Sequence, residues 1–336
     1  MSKINQNIIS SRLFLAVAIL SVALIVTLAL SISQGAVAMS LSDIWQALLH
    51  KGDPLKQTIV WDLRIPRILA SMLVGAALGM SGALLQGMLR NSLASPFILG
   101  ISAGAGLVTV AMIVLELWTA WIPLAAWLGA ILTAITVIFL GRGQGGIRVE
   151  KLILGGVAVS SLLGALQSTL LLLAEDGRVQ QALNWLIGSL NGRGWNEVRV
   201  AAPYMLVALV AGCLLARWVN VLALGDDLAV GLGVSLVRSR ILIGAVATLL
   251  AAGAVSIAGL IGFVGLVVPH GVRLLVGTDY RLCLPLSALG GAWLLTFADL
   301  LSRLGAVELP VGAVTALLGS PLFIWLLYRR SGTMNN

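Results

Sequence analysis

The chain has 336 residues, of which 59% are hydrophobic and only 10% charged, with a mean hydropathy of +1.04. That is more apolar side chain than one water-soluble core can hide, so a soluble globular fold is excluded in favour of a bilayer protein. The net charge of +8 and pI near 10.3 raise nucleic acid as a partner, but no basic run or aromatic-interleaved patch is present. Arginines scattered between apolar stretches fit membrane interfaces instead.

In chain order, apolar spans of bilayer length fall at about 13–33, 67–89, 97–115, 121–140, 152–174, 200–217, 241–258, 260–276, 282–301 and 310–328, ten helices in all. Ala36-Val37-Ala38 looks like a signal-peptidase site. The run from Leu13 to Ser33 nevertheless exceeds the roughly 7–15 apolar residues of a signal peptide, so an uncleaved first helix is expected. The stretch Asp62 to Gly106 reads as a membrane hairpin: Arg64 and Arg67 flank Pro66, an uncharged run leads to Arg90, and a second apolar segment follows the turn at Asn91 to Pro96. In 241–276 the long apolar stretch must fold back near Gly253 to Gly259.

With a cytoplasmic amino terminus, this division leaves 13 cations inside, from Lys3 and Arg12 to Arg329 and Arg330, against 8 outside. The bias places both termini in the cytoplasm. Small residues at helical spacing, such as Gly75, Gly79 and Gly82 or Gly155, Gly156 and Gly164, suggest close helix packing in lipid; a glycine-lined conduit is the functional alternative.

Three segments outside the spans are informative. In 34–61, LSDIWQALL predicts a short amphipathic surface helix with Ser42 or Asp43 as its cap. In 175–199, Trp185 and Trp195 read as interfacial anchors. On the inner side, 218–240 carries Asp226 and Asp227 in position to start a short helix at Leu228, too polar to span and too apolar to be a free linker. Either interfacial lipid or a cytoplasmic partner protein would cover it.

No catalytic constellation can be assembled. His50 and His270 fall on opposite sides of the membrane, Cys213 and Cys283 lie in apolar segments without a disulfide framework, and GRGQGG at 141–146 lacks the GK[ST] ending of a phosphate-binding loop and reads as a flexible turn. The span centres hold glycine, serine, threonine and an occasional glutamine such as Gln86 or Gln167. The acids Glu116, Asp299 and Glu308 fall near outer helix ends, which disfavours a carrier with its own proton relay. A pump built this way takes its energy from another chain. Arg64, Arg67 and Arg303 fall on the outer face, where they anchor the helices at the interface or bind an acidic partner.

These stretches match a known family. The sequence resembles the FecCD-type permeases of ABC importers for iron-siderophore complexes, cobalamin and haem, over about 40–330. The resemblance rests on LRIPR at 63–67, GAALGMSGALLQGMLRNSLASPFILGISAGAG at 75–106, LALGDDLAVGLGV at 222–234, GLIGFVGLVVPHGVRLLVGTDYR at 259–281 and ADLLSRLGAVELPVGAVTALLGSPLFIWLL at 298–327. Ser92 stands where the family's RNPLA pattern has proline, and ALNWLIGSLNGRGW at 182–195 looks most like the ferric-dicitrate and catecholate-siderophore branch.

The resemblance implies an all-α polytopic membrane protein of the type II ABC importer permease fold. One transmembrane permease domain would cover 1–336, with 218–240 as a cytoplasmic coupling loop within it. It implies a non-enzymatic transport subunit in a bacterial inner membrane, with no cofactor of its own. Its partners would be a second permease, paralogue or self, a cytoplasmic ATPase dimer carrying ATP and magnesium, and an external substrate-binding protein delivering an iron chelate. Arg64, Arg67 and Arg303 match the positions that hold acidic residues of that binding protein. Leu224, Gly225, Asp226, Asp227, Leu228, Ala229, Gly231, Leu232 and Gly233 match the part that inserts into the ATPase. The fifth and tenth spans, 152–174 and 310–328, would line the path on a permease dimer axis. The rivals are a secondary carrier or channel working without ATP and a non-transporting membrane scaffold.

Overall fold

In lipid the backbone has no partner but itself, so uncharged apolar runs close into helices. The computed structural model describes residues 3–35, 37, 39–143, 146–305 and 307–331; Ala36 and Ala38 of the signal-like motif, and Gln144 and Gly145 of the glycine-rich turn, lie outside them. Helix α1 covers Lys3–Ser33, α2 Leu41–Leu48 and α3 Pro54–Thr58, and a π-helical segment Ile59–Arg64 leads into α4, Ile65–Leu89. A 3₁₀ turn at Pro96–Leu99 precedes α5 (Ile101–Val114) and α6 (Ile122–Leu140). The two-residue strands β1 (Arg142–Gly143) and β2 (Gly146–Ile147) pair antiparallel, so the glycine-rich stretch is a hairpin. Then come α7 (Val149–Leu172), α8 (Asp176–Ile187), α9 (Trp195–Leu214), α10 (Ala216–Ala223) and α11 (Asp226–Gly231). Last are α12 (Leu236–Ala258), α13 (Val264–Val276), α14 (Tyr280–Ser302) and α15 (Val311–Ser331).

Among the described residues seven helices are long and apolar enough to cross a bilayer, and three shorter apolar ones, Ile101–Val114, Val264–Val276 and Val311–Ile324, complete the ten segments expected. Two of those short helices correct the sequence reading. The span expected over 97–115 starts at Ile101, because Gly100 turns the chain at φ 72° after the 3₁₀ turn. The one expected over 260–276 starts at Val264, after Phe263 at φ 66°. At about 1.5 Å per residue, α13 is about 20 Å long and covers only part of the membrane thickness. The fold-back before it lies just past Ala258, at the end of the expected Gly253 to Gly259 window.

Helix α4 is the centre: 83% of its apolar window is buried, against 11% for Val149–Leu172. The hairpin reading of Asp62 to Gly106 is corrected here. α4 packs chiefly on α14, α12 and α13, while α5 turns away to α6 and α7. Glycine makes that centre possible. A Cβ on Gly75 or Gly79 would strike the α14 backbone at Gly291 or Ser287, and one on Gly82 would strike Gly265 of α13. These glycines serve helix packing. Gly164 of α7, by contrast, faces open space.

At the α4 turn the buried Gln86 amide donates to Ala94 O (3.2 Å) and Gly265 O (3.3 Å) and accepts from Arg273 (2.6 Å). Asn91 Oδ1 accepts from Leu93 N (2.9 Å) and shapes the loop. The C-terminus of α1 and the N-terminus of α15 lie at the end that holds Arg64, Arg67 and Arg303. The free ends of the first and last helices therefore lie on the side of α10 and α11.

Candidate functional site

Two clusters stand at opposite ends of the molecule. At the outer end, Arg67, one turn into α4, meets Asp299 in the last turn of α14. Its Nε and Nη2 donate to Asp299 Oδ1 at 3.0 and 2.8 Å, and Nη2 also reaches Glu308 Oε1 at 2.6 Å. Asp299 is wholly buried and Arg67 nearly so, with 0% and 12% of their side chains exposed. Arg303, four residues beyond Asp299, comes within 3.2 Å of its Oδ2 and donates through Nε to Asp299 O (3.2 Å). Burial lowers the pKa of the Arg303 guanidinium, and Asp299 opposes the shift. Arg64 is buried too, donating to Ile32 O and Val37 O and so clamping the chain that leaves α1.

The structure therefore brings Arg64, Arg67 and Arg303 together, but not as exposed cations. Arg67 and Arg303 share the single carboxylate of Asp299. The cluster is held by mutual attraction and by the bonds from Arg67, while the buried Arg303 Nη2 has only its ion pair with Asp299. All three line a cavity of about 490 Å³, with Asp62, Arg193 and Glu308 also on its wall.

The surrounding outer elements are tied to the protein more than to an interface. The cap of α2 is Ser40, not Ser42 or Asp43. Its Oγ accepts from Asp43 N (3.1 Å) while Asp43 Oδ2 accepts from Ser40 N (3.2 Å), a reciprocal capping box. Ile44 and Ala47 of α2 bury against Val60. Trp195 Nε1 donates to Trp61 O (2.8 Å), and Trp185 packs in the core, so both have protein contacts beyond the anchoring expected of them. His50 packs against Trp61 with ring centroids 4.9 Å apart and the planes tilted by 33°.

At the inner end, α10 and α11 form a bent pair. Gly225, at φ 118°, makes the bend, and α11 starts at Asp226, two residues before the predicted Leu228. Asp226 anchors the pair: Arg240 Nη2 donates to its Oδ1 (2.7 Å) and Oδ2 (2.9 Å), and Arg90 at the end of α4 stands at 3.8 Å. Asn220 of α10 donates to Asp279 Oδ1 (2.7 Å) and accepts from Tyr280 N (2.9 Å), fixing α10 to the start of α14. Partial burial pushes the Asp279 pKa up, but bonds from Arg281 N–H and Asn220 and the Arg281 charge outweigh it and hold the carboxyl below its usual range. Ala229 faces inward at 0% exposure, whereas Leu224, Leu228, Val230 and Leu232 are 58–63% exposed. Asp227, Gly231 and Gly233 lie on the same exposed surface.

Sequence reasoning missed the hub role of Asp299 and the anchoring of Asp226 by Arg240. The Asp299–Arg303 spacing of four was a visible signal for the first. The sequence separation of 232 between Arg67 and Asp299 gave none.

The FecCD transport family model matches residues 23–329. The chain belongs to the FecCD transport family. It is 44% identical to the cobalamin import system permease protein of Halobacterium salinarum, covering 87% of this chain and 79% of that protein. It is 38% identical to an Fe(3+)-citrate import system permease protein of Bacillus subtilis, covering 94% and 95%. Among solved structures, a metal-chelate type ABC transporter in an inward-facing conformation superposes with a TM-score of 0.84 at 31% identity, covering 92% of this chain and 97% of that one. This FecCD protein is thus a multi-pass membrane permease of an ABC importer, a transporter rather than an enzyme. Its similarity extends to both cobalamin and ferric-citrate systems, so it does not select a substrate.

Proposed function

We propose that this protein is the permease subunit of an ATP-driven importer that carries a ferric chelate across a bacterial inner membrane. The observation that carries the reading is the inner surface of α10 and α11. Four exposed leucine and valine side chains at the cytoplasmic end are tied to α12 through the Asp226–Arg240 bonds and stand beside Arg90 at the end of α4. Such a surface is stabilised by burial against a protein, and its anchors transmit a push to the central helix.

An ATPase dimer binds there, using ATP and magnesium of its own. ATP-driven closure moves α11, and helices at a permease dimer axis re-orient to release the chelate inward. The weakly buried α7 fits that axis, since Leu154, Val157 and Leu162 remain exposed along it. A binding protein docks at the outer end, where its carboxylates meet the rim over Arg64, Arg67 and Arg303. The iron-chelate assignment draws on the 182–195 stretch. The cobalamin-system relative favours cobalamin as the second reading, with haem behind it.

The test is purification through a tag at Asn336, identification of co-purifying proteins, and an ATPase assay with and without the loaded binding protein. An ATPase whose turnover rises with the loaded binding protein is the expected result. ATP-independent transport by the chain alone in liposomes would overturn the reading.

A further inference from the structure

At the outer end a second, open cavity of about 610 Å³ lies between α5, α6, α8, the start of α9 and the segment before α15. Its size falls within the roughly 300–1,000 Å³ of small-molecule sites. Its wall carries polar side chains from separate elements: Gln181 and Asn184 of α8, Ser189, Asn191 and Arg193 of the following loop, and two carboxylates, Glu197 and Glu308.

Each carboxylate has one oxygen engaged. Glu197 Oε2 accepts from Gly194 N at 2.9 Å, and Glu308 Oε1 accepts from Arg67 at 2.6 Å. Asn184 Oδ1 accepts from Gln180 at 3.3 Å, which leaves its N–H pair to offer. Arg193 is different. Its Nε is buried with no hydrogen-bond partner, and burial depresses its pKa with Glu197 as the opposing charge. A buried N–H without a hydrogen-bond partner is costly, and the guanidinium fork suits carboxylate-type oxygens.

The loop that carries Arg193 is pinned. Ser189 N donates to Ala258 O (2.8 Å), Gly312 N donates to Gly188 O (3.1 Å), and Leu190 is fully buried. The backbone that carries the cation is thus fixed beforehand, and Arg193 stands on the wall of this cavity and of the arginine-lined one beside it.

We propose that Arg193 binds the anionic ligand oxygens of a ferric chelate in this cavity, so that the permease itself discriminates for negatively charged, oxygen-rich chelates. This rests on the importer reading and names its substrate class. Amide donors on the same wall suit a ligand with many oxygens better than the single carboxylate of a docking protein.

The test titrates the full-length chain in nanodiscs with ferric citrate, an anionic chelate, and with a neutral ferric trihydroxamate, read by quenching of Trp185 on the cavity wall against a Trp185→Phe control. Saturable binding of ferric citrate is expected, at least tenfold weaker in Arg193→Gln, partly restored in Arg193→Lys, and with the neutral chelate unaffected by either change. Should Arg193→Gln fail to fold, Asn184→Ala reads the same wall and is expected to weaken ferric citrate about threefold. The proposal is overturned if the wild type shows no saturable binding, if the variants bind ferric citrate as the wild type does, or if both chelates weaken equally. It is also overturned if Arg193→Gln lowers only the affinity for the binding protein. ATP-driven uptake by the assembled wild-type complex, measured in parallel, separates the two ideas. Uptake with Arg193-independent binding sinks this inference alone, and Arg193-dependent binding without ATP-driven uptake sinks the importer reading alone.

Discussion

The two ends of this permease meet their surroundings by opposite means. At the outer end three arginines are drawn inward onto Asp299 and backbone carbonyls; at the inner end the charges of Asp226 and Arg240 are turned inward and leucines are turned out. The difference teaches where each end gets its strength. The outer cluster is a structural tie between α1, α4 and α14 with charge left over at a rim, whereas the inner pair is an incomplete apolar surface on a rigid mount.

The sharpest way to break the comparison is Asp299→Ala. It leaves Arg303 buried beside no bonded carboxylate and Arg67 with Glu308 alone, which costs about 3–5 kcal/mol for a broken buried pair. A large fall in Tm in detergent is expected, and an unchanged Tm would mean that the cluster is no tie. Next in size is Gly82→Val, whose side chain strikes the Gly265 backbone. Overpacking of this kind costs about 1–3 kcal/mol, whereas Gly164→Ala, in open space, is expected to leave Tm unchanged.

Leu228→Asp with Leu232→Asp sharpens the other side. Both side chains are exposed, so Tm should hold while co-purification of the ATPase falls at least tenfold; retained association would show that this surface is not the contact. Proline at Asp226 would be a weaker probe, because the first turn of a helix tolerates it.

The smallest effect concerns pH. The Asp279 carboxyl is held below its reference value of 3.8, so the stability from its bond to Asn220 is fully present above that value and is lost only as pH falls below it. The Tm difference between wild type and Asn220→Ala should therefore be constant from pH 7 to about pH 5 and shrink below about pH 4.

Much of the fold is legible in the sequence because lipid leaves an apolar run one choice. The helices α4, α6, α12 and α14 fall where hydropathy puts them. Hydropathy is blind to backbone angles, however, so the non-helical stretch before Val264, apolar throughout, reads as helix although Phe263 breaks it. Helix α8 was missed for the opposite reason: its sequence DGRVQQALNWLI is too polar for a span, and only Ala182 is fully buried. At the inner end the start of α11 was legible, to within two residues, from Asp226 and Asp227, but the bend at Gly225 was not.

The outer site was legible only as a list of cations. Their burial depends on Asp299 arriving from a helix more than two hundred residues away, which no local pattern records. Arg193 was hidden among ordinary polar neighbours, and only its buried, unbonded Nε sets it apart.

The most direct test of the central claim is uptake of radiolabelled iron, as ferric citrate with its binding protein, into liposomes holding the assembled complex, with and without ATP inside. Accumulation that needs ATP and disappears in the Leu228→Asp, Leu232→Asp variant is the predicted result. Equal accumulation without ATP, or in that variant, would contradict it.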